Sequence, residues 1–256
     1  GIRHKFIRLY TSRRNGKVER SHGENQKRFC SLDDFGSGYS SLNLLKDLPV
    51  DALKLDILFF RKSRDVRRER IVVSNFINMA KQLNITTIYV THDQEEALSI
   101  SDRIAIIHDG QVEQLGEPME IYTKPANMFV ANFIGTSCFL DGEASGGGVK
   151  ILGGKELELN IDKEYKGKVK VSVRPEYVHL GAPKEGEIQG TITMSTFLGD
   201  FMNYEIQIDN GPLIEVNEYT DEMDISRKMN DRVSLELMSG RICVFDAETE
   251  KTIMRD

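Results

Sequence analysis

Around Gly135 the spacing of apolar residues changes, and a single layered sheet cannot accommodate both patterns. Upstream, Asp65 to Leu83 carries Ile71, Phe76, Ile77, Met79, Ala80 and Leu83, which suits an amphipathic helix. Ile85–Val90 is a β-branched run of strand length, Gln94–Ser101 reads as a helix, and Ile104–Ile107 is a strand ending at an Asp109-Gly110 turn. This strand–helix alternation predicts α/β layering. Downstream, Lys168–Val173, Gly190–Met194, Asn203–Ile208, Leu213–Val216, Arg232–Leu237 and Ile242–Phe245 are short strand candidates separated by Gly, Pro, Asn and Asp. Such spacing predicts an all-β barrel or sandwich. Gly146-Gly147-Gly148 lacks the spacing of a phosphate loop and reads as a tight connection between strands.

Charge divides the chain further. Residues 1–30 hold nine Lys/Arg against two acids (+7) and residues 31–86 nine against seven (+2); of the totals of 34 bases and 40 acids, that leaves sixteen and thirty-one (−15) for residues 87–256. A shift this abrupt reads equally as segments of different origin or as a basic tail on an acidic domain. Residues 1–30 are polar until an Asn15-Gly16 turn and a helix expected over Lys17–Phe29. Residues 31–60 open with the loop Asp33-Asp34-Phe35-Gly36-Ser37-Gly38, followed by a helical stretch at Ser41–Lys46 and a strand at Ala52–Asp56. Cys30, Cys138 and Cys243 are odd in number and far apart, which argues against a disulfide framework or a structural zinc site. No apolar run reaches membrane-spanning length and Gly1–Lys5 does not begin a signal peptide, so a soluble, cytoplasmic protein is expected.

The densest motif begins at Tyr89-Val90-Thr91-His92-Asp93-Gln94-Glu95-Glu96-Ala97-Leu98. It continues through Ser101-Asp102-Arg103-Ile104-Ala105, Gly110, Gln114-Leu115-Gly116-Glu117-Pro118, Ile121-Tyr122, Pro125 and Phe129-Val130-Ala131-Asn132-Phe133-Ile134-Gly135. This resembles the last third of the nucleotide-binding domain of ABC importers for sugars, polyamines and iron. The resemblance implies that His92 is the switch residue that contacts the γ-phosphate of ATP and the attacking water, with Mg as the companion ion. It also implies membrane-spanning importer subunits and a second ATPase subunit as partners, at the inner face of the plasma membrane. No GxxxxGK[ST] loop, Leu-Ser-Gly-Gly-Gln loop or apolar strand ending in Asp-Glu occurs in the 256 residues, so no ATP hydrolysis by this chain alone is expected.

Ser31-Leu32-Asp33-Asp34-Phe35-Gly36-Ser37-Gly38-Tyr39-Ser40-Ser41-Leu42, Leu53-Lys54-Leu55-Asp56 and Arg68-Glu69-Arg70-Ile71-Val72-Val73-Ser74-Asn75 are similar to the middle of an EAL-type cyclic-di-GMP phosphodiesterase. There the resemblance makes Asp33, Asp34 and Asp56 metal ligands and Lys54 the residue that positions water. Hard cations need several converging oxygens, and the Glu-Ala-Leu motif and the ligands from other strands do not occur here. These carboxylates are therefore expected to bind metal weakly or not at all. Tyr10-Thr11-Ser12-Arg13-Arg14-Asn15-Gly16-Lys17-Val18-Glu19-Arg20-Ser21-His22 resembles the end of a DDE-type integrase or transposase core, where Glu19 would be the third metal-binding acid. Its basic charge is read as a solvated tail without a specific nucleic-acid partner.

Val173-Arg174-Pro175-Glu176 and Thr196-Phe197-Leu198-Gly199-Asp200-Phe201-Met202-Asn203-Tyr204 resemble the OB-like (TOBE) regulatory domain that follows the ATPase core, most nearly in the spermidine/putrescine subgroup. Arg174 and Glu176 read equally as a positioned ion pair or as two charges at a strand end. A homodimer through the regulatory domain is a further assembly the resemblance implies. The fold class expected is a mixed α/β fragment followed by an all-β OB-like regulatory domain, divided as 1–30, 31–86, 87–135 and 136–256. The switch from EAL-like to ABC-like sequence falls at Asn84–Thr87, and a gene fusion, a recombination scar or an assembly error would each produce it. Residues 1–64 carry too little apolar area to offset backbone ordering and are expected to be mobile or only locally folded.

Overall fold

The computed structural model describes residues 5–9, 31–35, 51–55, 66–219 and 227–255. The chain divides into two units, residues 1–121 and 122–256. The expected helices at Lys17–Phe29 and Ser41–Lys46 and the Asn15-Gly16 turn lie outside the described residues.

Six strands of the first unit form one sheet in the order β2-β3-β4-β1-β5-β6. These are β1 (Lys5–Leu9), β2 (Ser31–Phe35), β3 (Ala52–Leu55), β4 (Thr86–Thr91), β5 (Arg103–His108) and β6 (Gln111–Gly116). β2, β3 and β4 run parallel, whereas β1 lies antiparallel to both β4 and β5. Strands β4 and β5 are thus mutually parallel and joined by a crossover helix, α2 (Gln94–Ile100), with a gap one strand wide between them. Backbone N–H and C=O groups facing such a gap need partners, and β1 supplies them. Within residues 1–64, expected to be mobile or only locally folded, three short described pieces join the sheet. β5 and β6 form a hairpin whose loop, between the paired His108 and Gln111, is Asp109-Gly110 with φ of 47° and 79°. Asp-Gly suits the primed turn that matches strand twist.

Helix α1 (Val66–Gln82) covers this sheet. Val73, Ile77 and Ala80 are buried with Leu53, Leu55, Ile85 and Tyr89. The buried stripe follows the i, i+4, i+7 spacing from Val73, so Ile71, about 200° away around the helix, is half exposed. Leu83, assigned to the stripe from sequence, lies beyond the helix end and is 50% exposed.

The second unit holds two five-stranded antiparallel sheets. The first has the order β16-β10-β7-β8-β9: β7 (Cys138–Ser145), β8 (Gly148–Ile151), β9 (Glu156–Glu158), β10 (Gly167–Val173) and β16 (Cys243–Asp246). The second has the order β11-β15-β12-β13-β14: β11 (Val178–Gly181), β12 (Ile188–Phe197), β13 (Phe201–Ile208), β14 (Leu213–Tyr219) and β15 (Arg232–Leu237). Gly146-Gly147 is the two-residue loop between β7 and β8, as the sequence predicts. Leu140, Val171, Ile192, Tyr204, Leu235 and Val244 share one core, drawn from both sheets. The architecture is a mixed α/β portion followed by an all-β, OB-like domain. Two short helices precede β7: α3 (Pro118–Thr123), in which the division between units falls, and α4 (Met128–Phe133), capped by Asn127, which accepts from Val130 N at 2.8 Å.

Candidate functional site

In the first unit, β4 alternates so that Thr87, Tyr89 and Thr91 are buried. The chain turns straight from β4 into α2. Asp93 caps the helix, its carboxylate accepting from Glu96 N at 3.0 Å, and its own N–H donates to Thr91 Oγ1 at 3.0 Å. Thr91 Oγ1 in turn donates to Glu96 Oε2 at 2.9 Å, and the Tyr89 hydroxyl donates to the same oxygen at 3.2 Å. A buried carboxylate, a strand threonine and a helix cap therefore lock one tight turn. His92 sits on that turn and is exposed at the carboxyl end of β4. In open α/β sheets, ligands meet the protein outside the carboxyl ends of parallel strands, so the placement is chemically competent.

The other residues singled out from sequence fall within neighbouring strands of the same sheet or outside the described residues. Asp33 and Asp34 lie in β2 at the register irregularity between Leu32 and Phe35. Lys54, in β3, is half-buried and pairs in register with Ile88. Glu19 and Asp56 lie outside the described residues. Among the described residues, no three His, Cys, Asp or Glu side chains are grouped to hold a metal ion. The described residues include no lysine-bearing glycine loop, so by themselves they do not fit a nucleoside triphosphate.

In the second unit, sequence leaves open how Arg174 and Glu176 are used. Both are taken up by Tyr122 rather than by each other. The Tyr122 hydroxyl donates to Glu176 Oε1 at 2.6 Å, and the Arg174 guanidinium carbon stands 3.7 Å from the centroid of the Tyr122 ring. Arg174 Nη2 donates to the Tyr122 carbonyl at 3.0 Å and Nη1 to the Thr136 carbonyl at 3.3 Å. Burial, then the bond to Glu176, pushes the Tyr122 hydroxyl far above its usual pKa. Tyr122 belongs to the motif read from sequence, but its pairing with Glu176 and Arg174 was not legible there because these partners lie more than fifty positions away. Cys138 and Cys243 are free thiols, and burial pushes the pKa of each up. Cys30 lies outside the described residues. Among the described residues, no helix is long and apolar enough to cross a membrane.

The chain's homologues are ATP-binding subunits of ABC importers. One is the Fe(3+) ions import ATP-binding protein FbpC of Fusobacterium nucleatum, 39% identical over 176 residues, which cover 67% of this chain and 47% of that protein. Another is the spermidine/putrescine import ATP-binding protein PotA of Clostridium novyi, 32% identical over 205 residues, covering 73% of this chain and 55% of that protein. PotA of Clostridioides difficile is 37% identical over 173 residues, covering 66% and 46%. The chain spans about half the length of the curated relatives it matches. The TOBE domain family matches residues 171–245, inside the all-β domain, and the EAL domain family matches residues 29–104. The EAL match runs past Asn84–Thr87 and overlaps β4 and α2.

Proposed function

We propose that residues 87–256 serve as the carboxy-terminal part of an ATP-binding subunit of an ABC importer of the iron or polyamine class. The observation that supports this reading is the turn from β4 into α2, where Thr91, Asp93 and Glu96 hold His92 at the sheet edge, in a chain homologous to such subunits. In this reading His92 is the switch histidine, and the loop that cradles the phosphates comes from residues outside these 256. ATP with Mg, when bound there, supplies the free energy of phosphoryl transfer; this chain's part is to hold a hydrogen-bonding imidazole beside the reacting phosphate. The OB-like domain is the regulatory part, a site of homodimer contact, and the partners are membrane-spanning subunits and a second ATP-binding subunit at the cytoplasmic face.

The test is a graft. Residues 87–256 replace the matching segment of the C. difficile spermidine/putrescine import ATP-binding protein, and ATPase activity is measured with and without His92→Ala. The expected result is an active graft whose rate falls by about 100-fold in the variant, the loss typical of removing one preorganised transition-state contact. A folded, active graft indifferent to His92 refutes the role assigned to it.

A second reading rests on the EAL family match over residues 29–104. Asp33, Asp34 and Lys54 lie on neighbouring strands of one sheet, and Asp56 follows β3 in sequence. In this reading they are what remains of a two-cation cyclic-di-GMP phosphodiesterase site, without turnover. Residues 1–30, with Glu19, stand as an integrase-like fragment, and the whole as a three-part fusion. Sequencing the locus across the codons for Cys30 and Thr87 tests that origin, and an uninterrupted reading frame in independent isolates is expected.

A further inference from the structure

Arg174 is a buried cation, only 6% exposed, and no carboxylate among the described residues forms an ion pair with it. Charged groups this deep are ordinarily paired, because desolvation of an uncompensated charge is expensive. The nearest acid in sequence, Glu176, accepts the Tyr122 hydroxyl instead. Two of the guanidinium N–H groups reach the Tyr122 and Thr136 carbonyls, and the Tyr122 ring covers one face. A guanidinium offers five donors, and these two bonds do not exhaust the fork.

Arg174 lines a cavity of about 50 Å³ together with Tyr122, Ser137, Ser172, Arg241 and Cys243, among others. Its described lining contains two guanidiniums and no carboxylate. Ser172, 5% exposed, is on the same face of β10 as Arg174, and its hydroxyl makes no hydrogen bond to another described residue. The Ser137 hydroxyl and the Cys243 thiol are already used, donating to the Ala131 and Thr123 carbonyls at 2.9 and 3.5 Å. Arg241 enters from the surface, its guanidinium carbon 5.3 Å from the Tyr177 ring centroid. A lining with two arginines, the Ser172 hydroxyl and no carboxylate matches an anion rather than a neutral guest. A single water needs about 10–15 Å³ of such space, so the void takes a small ion and nothing of nucleotide size.

We propose that this cavity binds a single small inorganic anion, chloride or a tetrahedral oxyanion, between Arg174, Arg241 and the Ser172 hydroxyl. The anion completes the hydrogen bonding of Arg174 and so holds the 122–137 segment on the outer face of β10 and β16. The proposal is independent of the nucleotide reading.

It is tested on the full chain by thermal unfolding at constant ionic strength. Sodium gluconate, too large for the cavity, is exchanged stepwise for sodium chloride, sulfate or phosphate. A saturable rise in Tm of a few degrees with at least one small anion and none with gluconate is expected, because a ligand bound only to the folded state stabilises it by mass action. Which of the three acts identifies the ion. Ser172→Ala and Arg241→Met, both leaving Arg174 in place, should each weaken the apparent affinity by about 10-fold, the loss of one hydrogen bond to a charged ligand. Equal effects of all four salts mean an ionic-strength effect only and overturn the site. So does a small-anion response unchanged in both variants.

Discussion

Glu96 Oε2 accepts the Thr91 hydroxyl at 2.9 Å across the corner where β4 becomes α2. Both side chains are buried, and the same corner carries the Asp93 cap, so the position of His92 depends on a bond between two residues on either side of it. Thr91→Val removes the donor while keeping shape and leaves a buried carboxylate oxygen short of a partner. Opening of this corner should become easier by about 1–3 kcal/mol. Asp93→Ala should add a cap loss of about 1 kcal/mol. Amide hydrogen exchange at Glu96 and Ala97 reads this directly, and unchanged protection in Thr91→Val would refute the lock.

Gly135 has φ of +79°, and a Cβ placed there would stand 2.7 Å from Arg174 Nη1. Gly135→Ala therefore pays for a left-handed backbone and displaces the guanidinium from its stack on Tyr122. A loss of about 2 kcal/mol is expected. Urea unfolding followed at a probe within residues 122–256 measures it. A variant as stable as the parent would show that Arg174 moves aside freely.

Much of this was legible beforehand where pattern and local chemistry agree. The Asp109-Gly110 turn, the strand Thr86–Thr91 and helices α1 and α2 follow from β-branched runs, turn residues and an apolar stripe. Strands β1, β2, β6, β7, β8, β9 and β11 were not foreseen, and β2 takes in the start of the stretch read as the loop Asp33–Gly38. β6 is a sheet-edge strand with few buried residues, and β7 carries Asp141-Gly142 midway, which dilutes its alternation. β9 is Glu-Leu-Glu, with one buried residue. In such strands pairing to a neighbour decides, not the residues' own preference. The partner of Arg174 was illegible for the same reason: Tyr122 and Arg174 meet only once the sheet is built.

Tyr165 donates its hydroxyl to Asp246, which also accepts from the Thr249 N–H and hydroxyl. These bonds, the Tyr165 bond foremost, lower the Asp246 pKa from 3.8 to about 2. A carboxylate whose folded pKa is depressed stabilises the fold above its unfolded value, and that contribution is lost as pH falls through the folded one. Burial first, and then the bond to Asp246, push the Tyr165 pKa from 10.0 up to about 12. A phenol raised in this way stabilises the fold below its unfolded pKa and ceases to do so as pH rises through the folded one. Tyr165→Phe should therefore flatten the pH dependence of stability between about 4 and 2 and again between about 10 and 12, with little change of slope near neutrality. Chemical denaturation across that range checks it; parallel curves for parent and variant would remove the pair from the account.

The all-β domain should fold from residue 122, not from residue 136. Between those positions lie Val130, Ala131 and Ile134, all fully or nearly fully buried. The segment also makes backbone bonds to the last strand region, with Met128 N donating to Glu250 O at 2.9 Å and Thr252 N to Ala126 O at 3.0 Å. It brings the Tyr122 ring and carbonyl that Arg174 uses. Burying a valine or isoleucine side chain contributes about 1.5–3 kcal/mol, so deleting the segment should cost at least ~3 kcal/mol even after part of the exposed surface repacks. A fragment of residues 122–256 should give a dispersed amide NMR spectrum and a single cooperative melt. A fragment of residues 136–256 should melt lower by about 6 °C or more, at roughly 2–4 °C per kcal/mol for a domain of about this size, with Arg174 newly open to solvent. Equal melting temperatures for the two fragments would show that residues 122–135 lie on the domain without holding it.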